Sequence, residues 1–93
     1  MIPILAEEEI VKVFTVGAKK YGDSNWRGGI NFSRNYAAAR RHLRSFFKGE
    51  EIDSETQTSH LANAAVNIIM MLQFHLEGRA KDLNDIKSTW VKE

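Results

Sequence analysis

The sequence predicts an all-α fold, a small bundle of three or four helices completed by oligomerisation. Three observations lead there. Apolar residues recur at spacings of three, four and five within segments that polar or Gly-rich runs separate, which suits helices rather than strands. One Pro and six Gly in 93 residues leave long stretches free to be helical. The run Leu61 to Leu76 carries more apolar surface than two partner helices can cover, and a chain of this length buries only about 60–65% of its unfolded surface. A dimer or larger homo-oligomer is therefore expected.

The first helix is expected over residues 4–21. Leu5, Ile10, Val13, Phe14 and Ala18 give it an apolar face. Glu7, Glu8 and Glu9 occupy early turns, where the helix dipole favours negative charge. Lys19 and Lys20 occupy the last turn, and Gly22 follows as a stop signal. Residues 22–33 read as a loop rich in Gly, Asn, Asp and Ser, with Trp26 inside it. Ser33 is the expected N-cap of a second helix, Arg34 to Lys48, which Gly49 ends. Its apolar stripe is Tyr36, Ala39, Leu43, Phe46 and Phe47. An acidic connector, residues 50–58, follows. Ser54 and Gln57 have the spacing of a capping box, so the third helix is free to start inside it. That helix, Ser59 to Leu76, is apolar nearly all round and belongs at the centre of the bundle. Residues 1–78 form the helical domain. Residues 79–93 are a polar tail or a short docked helix, with Leu83, Ile86 and Trp90 at helical spacing.

Composition excludes several classes. Thirteen Lys+Arg against twelve Asp+Glu give a net charge of +1, too little for a protein that tracks a nucleic-acid polymer. Absence of Cys removes disulfides, Cys-ligated zinc and a thiol nucleophile. Neither a phosphate-binding Gly-x-x-x-x-Gly-Lys loop, nor a Gly-x-Ser-x-Gly elbow, nor a His-Glu-x-x-His pair is present. The polar interruptions of residues 61–76 argue against a membrane span, and the start of the chain has no basic, apolar signal. A cytoplasmic location is expected.

The polar residues that fit a plain bundle poorly point to a site. His60, Asn63 and Asn67 fall within a sector of about 60° on the most apolar helix. Leaving such groups unpaired in a core costs about 1–3 kcal/mol each, so either neighbouring helices or a ligand must satisfy them. Asp53 and Glu55, close in sequence to His60, offer a set for Mg²⁺ or Mn²⁺, or else a solvated capping loop. Lys19, Lys20 and Arg41, with His42, are candidates for holding phosphates. Tyr21, Asn25 and Trp26 combine rings that stack a base with an amide that reads its edge. Trp26 as a core anchor is the alternative.

Taken together, Gly17-Ala18-Lys19-Lys20-Tyr21-Gly22, Asn25-Trp26-x-x-Gly29, Ala39-x-Arg41-His42-Leu43, Gly49-Glu50-x-x-Asp53-x-Glu55, His60-Leu61-Ala62 and Asn67 resemble the phage-type dATP/dGTP diphosphohydrolase N-terminal domain family. The resemblance runs from about Ile2 to Gly78. It is more distantly similar to MazG-like all-α nucleotide pyrophosphohydrolases. The family often has Gly near Gln57 and His at Asn63; this chain does not.

The resemblance implies a phage protein of the host cytoplasm that hydrolyses dATP- or dGTP-type triphosphates to monophosphate and pyrophosphate with Mg²⁺ or Mn²⁺. Asp53, Glu55 and His60 would serve catalysis and the metal. Lys19, Lys20, Tyr21, Asn25, Trp26, Arg41, His42, Asn63 and Asn67 would hold the substrate. Relatives of the MazG-like kind place carboxylates where this chain has His60 and Asn63. The alternative is therefore a non-catalytic phage protein that sequesters a nucleotide, such as a host immune signal.

Overall fold

The computed structural model describes residues 1–22 and 25–86. Among these there are four α-helices, Ile4–Tyr21 (α1), Phe32–Phe47 (α2), His60–Leu76 (α3) and Ala80–Leu83 (α4), and no strand. A 3₁₀ turn, Asn25–Gly28, lies between α1 and α2. The chain is all-α, as its periodicity predicts.

α1 ends where the sequence stops it. Gly22 has φ +98° and its N–H bonds to the Ala18 carbonyl at 2.9 Å. Ile10, Val13, Phe14, Val16 and Ala18 are half-buried, whereas Leu5 is exposed, so the first turn contributes little to the core.

α2 departs from expectation in two ways. It begins at Phe32, and the side chain of Asn31 at its N-cap does not cap it. Ser33 lies inside the first turn instead, donating its N–H (2.8 Å) and hydroxyl (2.5 Å) to the carboxylate of Asp85. The buried face is Phe32, Asn35, Ala39 and His42, while Tyr36, Leu43 and Phe47 face outward and Phe46 is half-buried. Two cross-helix polar contacts, Asn35 to Asn67 and His42 to His60, fix this rotation. Turning the helix to bury Tyr36 and Phe47 would break them at a cost of about 1–3 kcal/mol for each polar group left buried.

The connector contains no capping box. Gln57 donates its side-chain amide to the Ser54 carbonyl at 2.7 Å and has φ +61°. An isolated antiparallel bridge between Ile52 and Ser59 closes the loop. α3 starts at His60, with the Ser59 hydroxyl accepting the Ala62 N–H at 3.1 Å as its N-cap.

α3 packs mainly on α2, to a lesser extent on α1, and at its end on α4. Small residues permit close approach: Ala39, Ala62, Ala64 and Val66 are buried, with Phe32 and the fully enclosed Phe74. The rest of α3 is not covered. Leu61, Ile68, Leu72 and Leu76 are each more than 40% exposed along one stripe. Leu83 and Ile86 are half-buried; Trp90 lies outside the described residues. Among the described residues no helix is long and apolar enough to cross a membrane.

Candidate functional site

A cleft of about 850 Å³ opens between α1, the 3₁₀ turn, α2, the acidic connector and α3. Of the site residues expected from sequence, Lys20, Tyr21, Asn25, Trp26, Arg41, His42, Asp53, Glu55, Asn63 and Asn67 line it. Lys19 and His60 do not, although His60 contacts His42 from within the bundle.

The floor is polar because α2 and α3 meet there through hydrogen bonds. The Asn63 amide donates to the Thr58 hydroxyl (2.9 Å) and to the Ser59 carbonyl (2.8 Å). Asn67 donates to the Asn63 carbonyl at 2.9 Å and accepts from Asn35 at 3.0 Å. These side chains are thus held by neighbours and still border an open cavity. Asn35, only 1% exposed, supports the site although the apolar pattern of its helix does not single it out, and its Oδ1 has no hydrogen-bond partner among the described residues. Its spacing from Ala39 and His42 (i, i+4, i+7) was the available signal; the aromatic stripe on the other face outweighed it.

One wall is cationic. Arg34 and Arg41 come from α2 and Lys20 from the end of α1. Lys20 reaches Glu55 at 3.0 Å, and that hydrogen bond, followed by one to Tyr21, raises the lysine above its usual range. Glu55 is thus paired with Lys20 and is not part of the His42–Asp53–His60 group. Its 73% exposed side chain sits at the rim.

The aromatic wall is Trp26. Its indole lies between Phe14 and Phe74, with ring centroids 5.7 and 5.6 Å away, and the Arg27 guanidinium covers it at 4.7 Å. The ring therefore anchors its turn on the core and also borders the cleft. Arg79 secures the same turn, donating to the carbonyls of Arg27 (2.8 Å) and Gly28 (3.0 Å) while lying over Phe74.

The deepest chemistry is a His–His contact. His42 and His60 are 5% and 4% exposed, and their Nδ1 atoms are 2.8 Å apart. His60 Nε2 meets Glu50 Oε1 at 2.7 Å, and His42 Nε2 meets Arg41 Nη2 at 3.2 Å. Arg41 can only donate and Glu50 accepts. The tautomers follow: His42 accepts from Arg41 and donates through Nδ1 to His60, which donates through Nε2 to Glu50. Burial, then the Arg41 charge, then His60 lower the pKa of His42, against a smaller opposing pull from Asp53. Asp53 completes a group whose potential ligand atoms, one each from His42, Asp53 and His60, all lie within 4.8 Å of one another.

The fold and cleft define a small helical protein with a cation-walled polar pocket beside a histidine–carboxylate cluster. A family model described as dATP/dGTP diphosphohydrolase, N-terminal, matches residues 1–84, and the chain belongs to that family. A dATP/dGTP diphosphohydrolase of Salmonella phage PMBT28 is 34% identical over 64 residues, covering 69% of this chain. The match covers 22% of that relative's length. No solved structure matches.

Proposed function

We propose that the cleft binds a purine deoxynucleoside triphosphate and hydrolyses it to the monophosphate and pyrophosphate. The observation that carries this reading is the placement of Lys20, Arg34 and Arg41 around one cavity that His42 and Asp53 of the histidine–carboxylate group also border. About 850 Å³ is within the range of small-molecule sites. The family description and the name of the phage relative supply the substrate class.

In this reading Arg41 and Arg34 take phosphate oxygens, and Lys20 leaves Glu55 for the triphosphate. Tyr21, Asn25 and Trp26 border the base. Water adds across the α–β anhydride: its oxygen bonds the α-phosphorus, the bond from that phosphorus to the bridging oxygen breaks, and pyrophosphate leaves. Glu55, freed from Lys20, accepts the proton of the attacking water. A divalent ion, when bound, offsets phosphate charge and acidifies a bound water.

The test is ³¹P NMR of dATP and dGTP incubated with the protein and Mn²⁺ or Mg²⁺. Monophosphate and pyrophosphate in equal amounts are expected. Glu55→Gln should slow turnover at least about a hundredfold while nucleotide still binds. A second reading, binding without turnover, draws on the closed His42–His60–Glu50 chain, which satisfies its own hydrogen bonds with no ligand. Tight retention of unchanged nucleotide would establish it.

A further inference from the structure

We infer that His42, His60 and Asp53 form a site selective for a later first-row transition-metal ion such as Co²⁺ or Zn²⁺ over Mg²⁺. Two imidazoles and one carboxylate are a borderline donor set. Mg²⁺ prefers all-oxygen surroundings, whereas imidazole suits the later divalent ions. The resemblance implies Mg²⁺ or Mn²⁺ held by Asp53, Glu55 and His60, and of these Glu55 is engaged with Lys20.

Geometry supports a shared ion. The two Nδ1 atoms face each other at 2.8 Å. Two nitrogens bound at right angles to one ion, each about 2.1 Å from it, would lie about 3 Å apart. The separation is that of a chelating pair, but the nitrogens face each other head-on, with ring centroids 5.1 Å apart, so both rings must turn for their lone pairs to converge on an ion beside the line joining them. His60 is already in the ligating tautomer, because Glu50 takes its Nε2–H at 2.7 Å. A carboxylate on the far nitrogen of a ligating histidine is the usual outer support of such sites. Both rings are more than nine-tenths buried, and His42 and Asp53 border the cleft, which gives an ion a route in.

Loading the site also requires a change of tautomer at His42. The proton on His42 Nδ1 leaves to solvent and Nε2 takes one up. That nitrogen then becomes a donor facing Arg41, itself only a donor. Arg41 must leave His42, and the cleft it borders is where it goes. Metal binding thereby frees the guanidinium for an anion.

The test uses the EDTA-treated full chain without nucleotide, titrated separately with Co²⁺, Zn²⁺, Mn²⁺ and Mg²⁺. Co²⁺ should produce visible d–d bands saturating at one ion per chain. Co²⁺ and Zn²⁺ should bind at least tenfold more tightly than Mg²⁺ by calorimetry. His42→Asn and His60→Asn should abolish the bands. Glu50→Gln alters only the outer support, so it covers the case in which a histidine variant fails to fold, and it should weaken binding about 10- to 100-fold. Absence of binding by every transition ion, Mg²⁺ binding as tightly, or affinity unchanged in Glu50→Gln would overturn the inference. Because the titration uses no nucleotide, a protein that loads metal in it but shows no turnover in the ³¹P NMR assay defeats the hydrolysis reading alone. Hydrolysis supported equally by Mg²⁺ and indifferent to the histidine variants defeats this one alone.

Discussion

His42 and His60 meet Nδ1 to Nδ1 across the α2–α3 seam at 2.8 Å, and this contact sets the rotation of α2. It places Arg41, the preceding residue, at the cleft and turns Tyr36 and Phe47 outward. A polar contact in the core thereby decides which residues reach the site.

Arg79 and Gly29 lock the turn that carries Trp26. Gly29 has φ +119°, and a Cβ there would lie 2.8 Å from Arg79 Nη2 and 3.2 Å from Leu83 Cδ2. Gly29→Ala should destabilise by about 1–3 kcal/mol through backbone strain and displacement of Arg79. Arg79→Met should cost about 0.5–1.5 kcal/mol, because the two carbonyls it bonds belong to exposed residues that water reaches once the guanidinium is gone. Because both act on one contact, the double variant should lose less than the sum in urea denaturation.

Gln57 occupies a left-handed backbone conformation, φ +61°, that Gly adopts without a side-chain penalty. Gln57→Gly should raise stability by about 0.5–1 kcal/mol, the relieved strain exceeding the loss of the bond to the Ser54 carbonyl. Thermal melting checks it: a lower midpoint would show that the side-chain bond matters more.

Asp85 tethers the segment after α4 to the first turn of α2. Hydrogen bonds from the Ser33 hydroxyl and backbone N–H hold its carboxyl below the ordinary aspartate range. With the folded pKa depressed, the stabilisation is complete above the unfolded value, about 4, and is lost as pH falls through the folded value. Asp85→Asn should therefore melt below wild type at pH 7, and the gap should narrow as pH drops below about 4. A gap that is constant with pH would contradict this.

Leu61, Ile68, Leu72 and Leu76 follow the i, i+7, i+11, i+15 spacing of a helix–helix seam, and a second copy of this chain offers a matching one. Wild type should sediment as a dimer or larger species at micromolar concentration, and Ile68→Glu should shift it to monomer. A monomeric wild type would refute the pairing.

Much of the fold was legible because it follows from period and punctuation. The α1 stop at Gly22, the α3 N-terminus at Ser59 and the apolar α3 all carry local signals. The rotation of α2 was not, because Tyr36, Leu43 and Phe47 form the more apolar stripe, whereas burial went to Asn35 and His42, whose partners lie on another helix. The site was legible as a list of residue types. Glu50 as the partner of His60, and Glu55 as the partner of Lys20, depend on how the connector turns, which no local pattern in that acidic run specifies.

Calorimetric titration of the metal-loaded chain with dGTP, repeated with Arg41→Ala, tests the cleft as a nucleotide site most directly. Saturable binding is predicted, weakened at least about tenfold in the variant, in keeping with loss of a charge-assisted contact. No binding of dGTP or dATP, or affinity indifferent to Arg41, would contradict the account.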